Sequence, residues 1–246
     1  MLKTHLEDTG DFLFKYRSYI PLILYVLATI ALLIDEQHIF AYDSLGWNIT
    51  CLVVSLLGLF IRVMTIGYIA RNTSGRNTTE GQIAESINTT EMYSMIRHPL
   101  YLGNFFMWLG LILYVSIPWL IVLSILFFYI LYERIMLAEE RFIRNKFGEV
   151  FDQWAKTTAA FWPRRFRWIK SNKKFSIKKV MRREYSGILA LSVSFVYIDL
   201  LKNYQFTGEV NVQKFWLIAG IIGVIIWFTL RSLRKWTNIL ESKKNH

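Results

Sequence analysis

The chain has 246 residues, of which 54% are hydrophobic and 19% charged, and it carries a net charge of +11. Its apolar residues are gathered into uncharged blocks, which excludes an ordinary soluble domain and points to an all-α integral membrane protein. The single cysteine, Cys51, excludes an intrachain disulfide.

The N-terminal MLKTHLEDTGDF is mixed in charge and is not expected to be a cleavable signal. The first uncharged block covers 19–34, and Phe12, Phe14 and Tyr16 lengthen it toward the 17–25 residues a spanning helix needs. A second block, 47–61, continues past Arg62 through Met64 to Ala70. The stretch 99–132 holds no charge and is too long for one span, reaching about 50 Å as a single helix. Val115-Ser116-Ile117-Pro118 interrupts it, and proline cannot continue a helix without losing a backbone bond. Two short helices folded as a tight hairpin are expected there. With the blocks 185–198 and 215–230 the count is about six transmembrane helices, with Arg62 the only charge inside any of them.

The charges orient the chain. With the N-terminus inside, the loop 35–46 faces outside with Asp35, Glu36 and Asp43 and no basic residue, and 199–214 faces outside with only Lys202 and Lys214. The segment 133–184 faces inside with fifteen lysines and arginines, and in all 27 of the 29 basic residues fall on the inner side. Both termini are therefore expected in the cytoplasm. This charge is read as topogenic and as attraction to anionic headgroups, not as a nucleic-acid site. Composition shifts near residue 168, separating a motif-rich membrane core, 1–168, from a basic cytoplasmic linker with two further spans, 169–246.

Two inner-face regions carry the chemistry-bearing residues. The first, 88–104, sets Tyr93, Arg97, His98, Pro99, Leu100, Tyr101, Gly103 and Asn104 at the mouth of the hairpin. Pro99 can open a helix whose remaining free N–H groups would receive an anion, and Gly103 permits close approach of a backbone or ligand. An interfacial collar of polar aromatics is the plainer reading of the same residues. The second region, 132–154, is read as one helix. With Ile143 at zero and about 100° per residue, Tyr132, Met136, Phe147, Val150 and Trp154 form one stripe. Glu139 falls within that stripe and Glu140 at its margin, while Arg134 and Arg141 fall opposite. A carboxylate in an apolar stripe needs a partner, either a ligand or, structurally, Arg97 or a linker lysine.

Tyr93, the string Arg97-His98-Pro99-Leu100-Tyr101-Leu102-Gly103-Asn104, the uncharged hairpin, Glu139-Glu140, Phe147-Gly148 and the closing Trp162-Pro163 together resemble the isoprenylcysteine carboxyl methyltransferase and phospholipid methyltransferase superfamily over about 47–165. The resemblance implies S-adenosylmethionine as methyl donor, held in a cofactor pocket on the cytoplasmic face. It implies Tyr93, His98, Pro99, Leu100, Tyr101 and Glu139 as cofactor contacts, backbone contacts from 85–89, and Arg97 with Glu139 as the catalytic candidates. No metal is implied. Where the carboxyl methyltransferases place an arginine for the substrate carboxylate, this chain has Ile135, and the tyrosines usual after phenylalanine-glycine are Phe151 and Trp154 here. The opening 12–18 and the segment 75–78 are similar to bacterial members, which implies a bacterial inner membrane.

The leading function is methyl transfer to a membrane lipid or lipid-linked acceptor through a carboxylate, phosphate or amine. The competing readings are a membrane reductase using a nicotinamide cofactor and a non-catalytic transport or scaffold protein. The charge asymmetry makes the first prediction. Cysteines introduced at Ala41 and Thr207 should react with an impermeant thiol reagent in intact cells. Labelling at Thr73 but not at Ala41 would reverse the orientation.

Overall fold

A computed structural model describes residues 2–34, 44–69, 73, 76–78, 81–237 and 240. The acidic loop residues Asp35, Glu36 and Asp43, and the labelling position Ala41, lie outside them. The described chain is helical, with α1 Leu2–Tyr16, α2 Leu22–Ile34, α3 Leu45–Tyr68, α4 Pro99–Val115, α5 Pro118–Phe147, α6 Glu149–Thr157, α7 Ile177–Thr207 and α8 Lys214–Trp236. A short antiparallel ribbon, β1 Arg76–Thr78 with β2 Gly81–Ile83, and a 3-10 turn, Glu91–Ser94, connect α3 to α4.

Four helices, α3, α5, α7 and α8, are long and apolar enough to cross a membrane. The other two expected spans are shorter, with 13 residues in α2 and 17 in α4. Aromatic residues 12–16 do not lengthen the first span. They belong to α1, which ends at Tyr16, and Pro21 separates it from α2 because its ring and missing N–H block a continuous helix. Instead α1 packs along α5. The hairpin turn is built as the sequence suggests. Ser116 takes the left-handed conformation (φ 65°), its N–H caps Leu113 O, and Pro118 opens α5.

The expectation that Arg62 is the only charge within a span does not hold. Helix α7 starts eight residues earlier than the apolar block and runs to Gly208, whose φ of 72° ends it. Glu184, Asp199 and Lys202 are thereby buried inside this helix. Each is satisfied, as burial demands. Glu184 accepts from Arg62 Nε (2.8 Å) and Nη2 (2.7 Å). Asp199 accepts from Tyr114 Oη (2.5 Å), Asn203 and the Gln213 N–H, while Lys202 Nζ donates to Tyr114 O at 2.9 Å. Around this cluster Trp216 stacks on Phe195, ring centroids 4.2 Å apart, in a core shared by α2, α3, α4, α7 and α8.

Helices α3 and α4 meet along a seam of small residues. Ideal Cβ atoms at Gly58, Gly103 and Gly110 would run into the facing backbone or the Arg62 stem, and Ser55 Oγ donates across the seam to Met107 O at 2.9 Å. The seam fixes α4 against Arg62. Replacing Gly110 with leucine should overpack it, lowering unfolding stability by about 1–3 kcal/mol. A depressed melting temperature in detergent checks this, and an unchanged one would mean the helices do not touch there.

Candidate functional site

The site begins with the segment that precedes α4. Its backbone is held from behind by a later stretch of chain. Arg97 N donates to Ala159 O (2.8 Å), His98 N to Ala160 O (3.1 Å), Glu91 N to Ile169 O (2.8 Å) and Ser171 N to the Glu91 carboxylate (2.7 Å). Ser94 Oγ donates to Arg167 O and accepts from Ile169 N. Trp154 Nε1 reaches Tyr93 O at 3.2 Å. Residues 91–98 are thus strapped in place before the helix begins.

From this frame and the first turn of α4, three side chains meet the paired glutamates of α5. Arg97 grips Glu140 with both edges, Nε to Oε1 at 2.8 Å and Nη2 to Oε2 at 3.1 Å, a bidentate geometry that only arginine provides. Its Nη1 donates to the carbonyls of Ala155 and Thr158. His98 stands between the two acids, Nε2 2.9 Å from Glu140 Oε1 and Nδ1 3.5 Å from Glu139 Oε2. Tyr101 Oη donates to the same Glu139 oxygen at 2.8 Å. Arg97 therefore pairs with Glu140 and not with Glu139, which instead takes His98 and Tyr101. The rings of His98, Tyr101, Tyr132 and Phe128 lie stacked in sequence at centroid spacings of 5.5, 5.0 and 5.5 Å.

Arg97, His98, Tyr101, Tyr132, Glu139 and Glu140 line one cavity of about 400 Å³, within the size range of small-molecule sites. Tyr93, Arg97, His98, Pro99, Leu100, Tyr101 and Glu139 all reach it, so every candidate residue from the sequence is gathered in one place. Ser86, Ile87 and Asn88 line it from the segment expected to contribute backbone. Ile135 is fully buried among Phe14, Leu24, Phe128 and Leu131, in the apolar core behind the cavity lining.

Two local expectations fail. Residues 132–154 are not one helix. Gly148 (φ 53°, ψ −124°) breaks it, a conformation strained for any L side chain, so α6 leaves at a new angle. Val150 accordingly points to the surface, 63% exposed, while Phe151 and Trp154 still turn into the cavity. The start of α4 also offers fewer free donors than expected, because Tyr101 N and Leu102 N already bond the His98 carbonyl. The lining includes residues the sequence reading did not select, among them Arg17, Ser18 and Pro21 from the turn after α1, and Arg62 and Trp108. A lone arginine in an apolar block was the available signal for Arg62. Arg17 falls in the opening 12–18 noted for its resemblance to bacterial members, without being marked there as a cavity residue.

His98, just before α4 and outside the four candidate spans, is held cationic. Burial alone would lower its pKa, but the hydrogen bonds the ring donates to Glu139 and Glu140, and the charges on those carboxylates, outweigh burial and lift it from 6.5 to about 9. A raised folded-state pKa contributes stability that is fully present below about 6.5 and is lost as pH rises through about 9. The stability difference between the wild type and His98→Gln should therefore shrink between those limits. NMR titration of the ring should give a midpoint near 9, and a midpoint at or below the ordinary value would break the argument.

Residues 47–150 match the phospholipid methyltransferase family. The nickel-cobalt-cadmium resistance protein NccN of Alcaligenes xylosoxydans xylosoxydans is 31% identical over 154 residues, covering 63% of this chain and 68% of that protein. The cobalt-zinc-cadmium resistance protein CzcN of Cupriavidus metallidurans is 26% identical over 154 residues, covering 63% and 67%. No solved structure matches. With the arginine-histidine-proline turn and the paired glutamates closing on one cavity in the matched segment, the chain belongs to the phospholipid methyltransferase family, within the superfamily that also holds the isoprenylcysteine carboxyl methyltransferases.

Proposed function

We propose that the protein is a membrane methyltransferase that uses S-adenosylmethionine to methylate a lipid or lipid-linked acceptor. In this reading the chain has six spans, cytoplasmic termini and a cavity opening to the cytoplasm of a bacterial inner membrane. One observation supports it above the others: Tyr93, His98, Tyr101 and Glu139 line one cavity inside the segment that matches the family.

The lining suits such a donor. Bound there, it would supply an electrophilic methyl group on a sulfonium. Glu139 and Tyr101 suit its hydroxyls and positive charge, His98 its carboxylate, and the rings of Tyr93, Phe147, Phe151 and Trp154 its base and sulfonium. Methyl transfer asks the protein mainly to align donor and acceptor and exclude water, which a ring-lined cavity favours. Arg97, with Nε, Nη1 and Nη2 all engaged on Glu140, Ala155 and Thr158, acts as a positioning residue. It fixes α6 and Glu140 so that His98 stays charged and aimed.

The names of the two relatives raise a metal-handling role. Among the described residues no group of three or more His, Cys, Asp or Glu side chains is arranged to hold a metal ion. A resistance function here would act through methylation of membrane components, which alters the barrier rather than the metal.

Calorimetry on detergent-solubilised protein should show S-adenosylmethionine binding and no comparable binding of nicotinamide nucleotides. His98→Ala and Glu139→Ala each remove a hydrogen bond to a charged group worth about 1.5–3 kcal/mol, weakening donor binding roughly ten- to a hundredfold. Wild-type donor affinity in both variants would overturn the site assignment. Tight nicotinamide binding would favour the reductase instead.

A further inference from the structure

The segment joining α6 to α7 presents two different faces. Its backbone holds the turn before α4: Glu91 N donates to Ile169 O, Ser171 N to the Glu91 carboxylate, and Ser94 Oγ bridges Arg167 O and Ile169 N. Its side chains lie outside. Arg164, Arg165, Arg167, Lys170, Lys173 and Lys174 are all exposed, and so are the rings of Phe166 (85%) and Trp168 (45%). None of these cationic side chains has a hydrogen-bond or ion-pair partner among the described residues. No acidic residue occurs between Asp152 and Glu184 to offset them. Glu91, which touches the segment, is buried and already takes the Ser171 N–H.

The segment is also fixed in height. At its far end Phe175 packs edge-on against Tyr68, ring centroids 5.3 Å apart, and Ser176 N donates to Gly67 O at 2.9 Å. A Cβ on Gly67 would run into the Phe175 ring, so this contact needs glycine. Gly67 and Tyr68 close α3, one of the helices long and apolar enough to cross a membrane. The bases and rings are thereby held near the level where that helix leaves the apolar region. Exposed tryptophan and phenylalanine beside uncompensated bases, at that depth, fit a bilayer interface with anionic headgroups. A soluble polyanion would use the bases and leave the rings in water.

We propose that this face of residues 164–174 docks on the anionic surface of the bilayer, and that docking sets how tightly the cavity holds its donor. The second half rests on the methyltransferase reading and adds regulation to it. Tyr93 and His98 line the cavity, and the backbone around them is held by this same stretch of chain. Glu91 sits at φ 55°, a strained conformation that favours release of the turn whenever those bonds open. Confining the segment to the headgroup plane removes conformational freedom that it would regain on opening, so closure costs less on an anionic surface. Donor and anionic lipid then favour the same closed arrangement, and each strengthens binding of the other by the same factor.

The test uses the full chain in lipid nanodiscs, either phosphatidylcholine alone or equal parts phosphatidylcholine and phosphatidylglycerol. The ligand is S-adenosylhomocysteine, which carries no net charge and so is not concentrated by the surface potential itself. In the anionic discs it should bind about threefold to tenfold tighter, and that gain should fade at high salt. With no ligand added, hydrogen exchange should slow at the amides of Glu91, Arg97, His98 and Ser171 in the anionic discs alone. Joint replacement Arg164→Gln, Arg165→Gln, Lys173→Gln and Lys174→Gln should abolish both responses and keep affinity in phosphatidylcholine within about twofold. Arg164→Lys with Arg165→Lys should retain both, because a headgroup surface reads charge rather than guanidinium geometry. Equal exchange and equal affinity in the two discs, or a response that survives the glutamine variant, would overturn the proposal. So would a short DNA duplex that protects the segment in detergent and is not displaced by anionic discs, which would assign the face to nucleic acid. Slowed exchange in anionic discs with no S-adenosylhomocysteine binding in either would uphold the docking surface and remove the methyltransferase reading.

Discussion

One imidazolium between two carboxylates is the interaction on which the site depends. Glu139 and Glu140 are sequence neighbours, about 100° apart around α5, and both are turned toward His98. Two acids so close in a largely buried place would repel each other and resist ionisation. A positive ring between them removes the conflict, and Arg97 on one acid with the Tyr101 hydroxyl on the other completes the compensation. Because the charges are mutually conditional, loss of any member leaves another buried and unpaired, which is far more damaging than loss of the pair as a whole. The cluster is thus a preset electrostatic surface and cannot be assembled by the ligand.

The same rule governs the rest of the bundle. Buried charges survive in an apolar setting only with partners, and here the partners come from distant parts of the chain. Arg62 in α3 meets Glu184 at the start of α7, and Tyr114 at the end of α4 meets Asp199 and Lys202 near the end of α7. These two contacts fasten α7 to the core near both of its ends. The small-residue seam between α3 and α4 works by dispersion and close approach instead. It places Arg62 beside Asn104 at the inner end of the cavity.

Much of this was readable in the sequence because it depends on local chemistry. Hydropathy blocks gave the apolar helices, Ser116 and Pro118 gave the hairpin turn, and the family resemblance carried by the arginine-histidine-proline string and the paired glutamates grouped Tyr93, His98, Tyr101 and Glu139, which the structure places on one cavity. What escaped was set by tertiary partners. Glu184, Asp199 and Lys202 read as loop charges because hydropathy counts a charge against a span whether or not it is paired. The break at Gly148 escaped because the apolar stripe keeps its phase across it, and only the backbone torsion separates α5 from α6. The identity of the acid that Arg97 grips could not follow from a wheel, since Arg97 lies on another element and reaches the margin residue Glu140 more readily than the stripe residue Glu139.

The family match covers 47–150, yet a cavity built from those residues alone would lack walls. Arg17 and Pro21 enter from before it, Phe151 and Trp154 from after it. The strap 159–171 holds the Tyr93–His98 segment by backbone bonds that no side-chain motif could encode. Glu91 shows how firm this strap is. It is 3% exposed and sits at φ 55°, a left-handed conformation unfavourable by about 1–2 kcal/mol for a residue other than glycine. Its N–H and carboxylate are both met by the strap, at Ile169 and Ser171, which offsets that strain. On either side of those residues the chain exposes Arg164, Arg165, Phe166, Lys173 and Lys174, a mixture of bases and aromatics suited to an anionic membrane surface. The stretch of chain that anchors the cavity-lining turn therefore also carries surface suited to anionic headgroups.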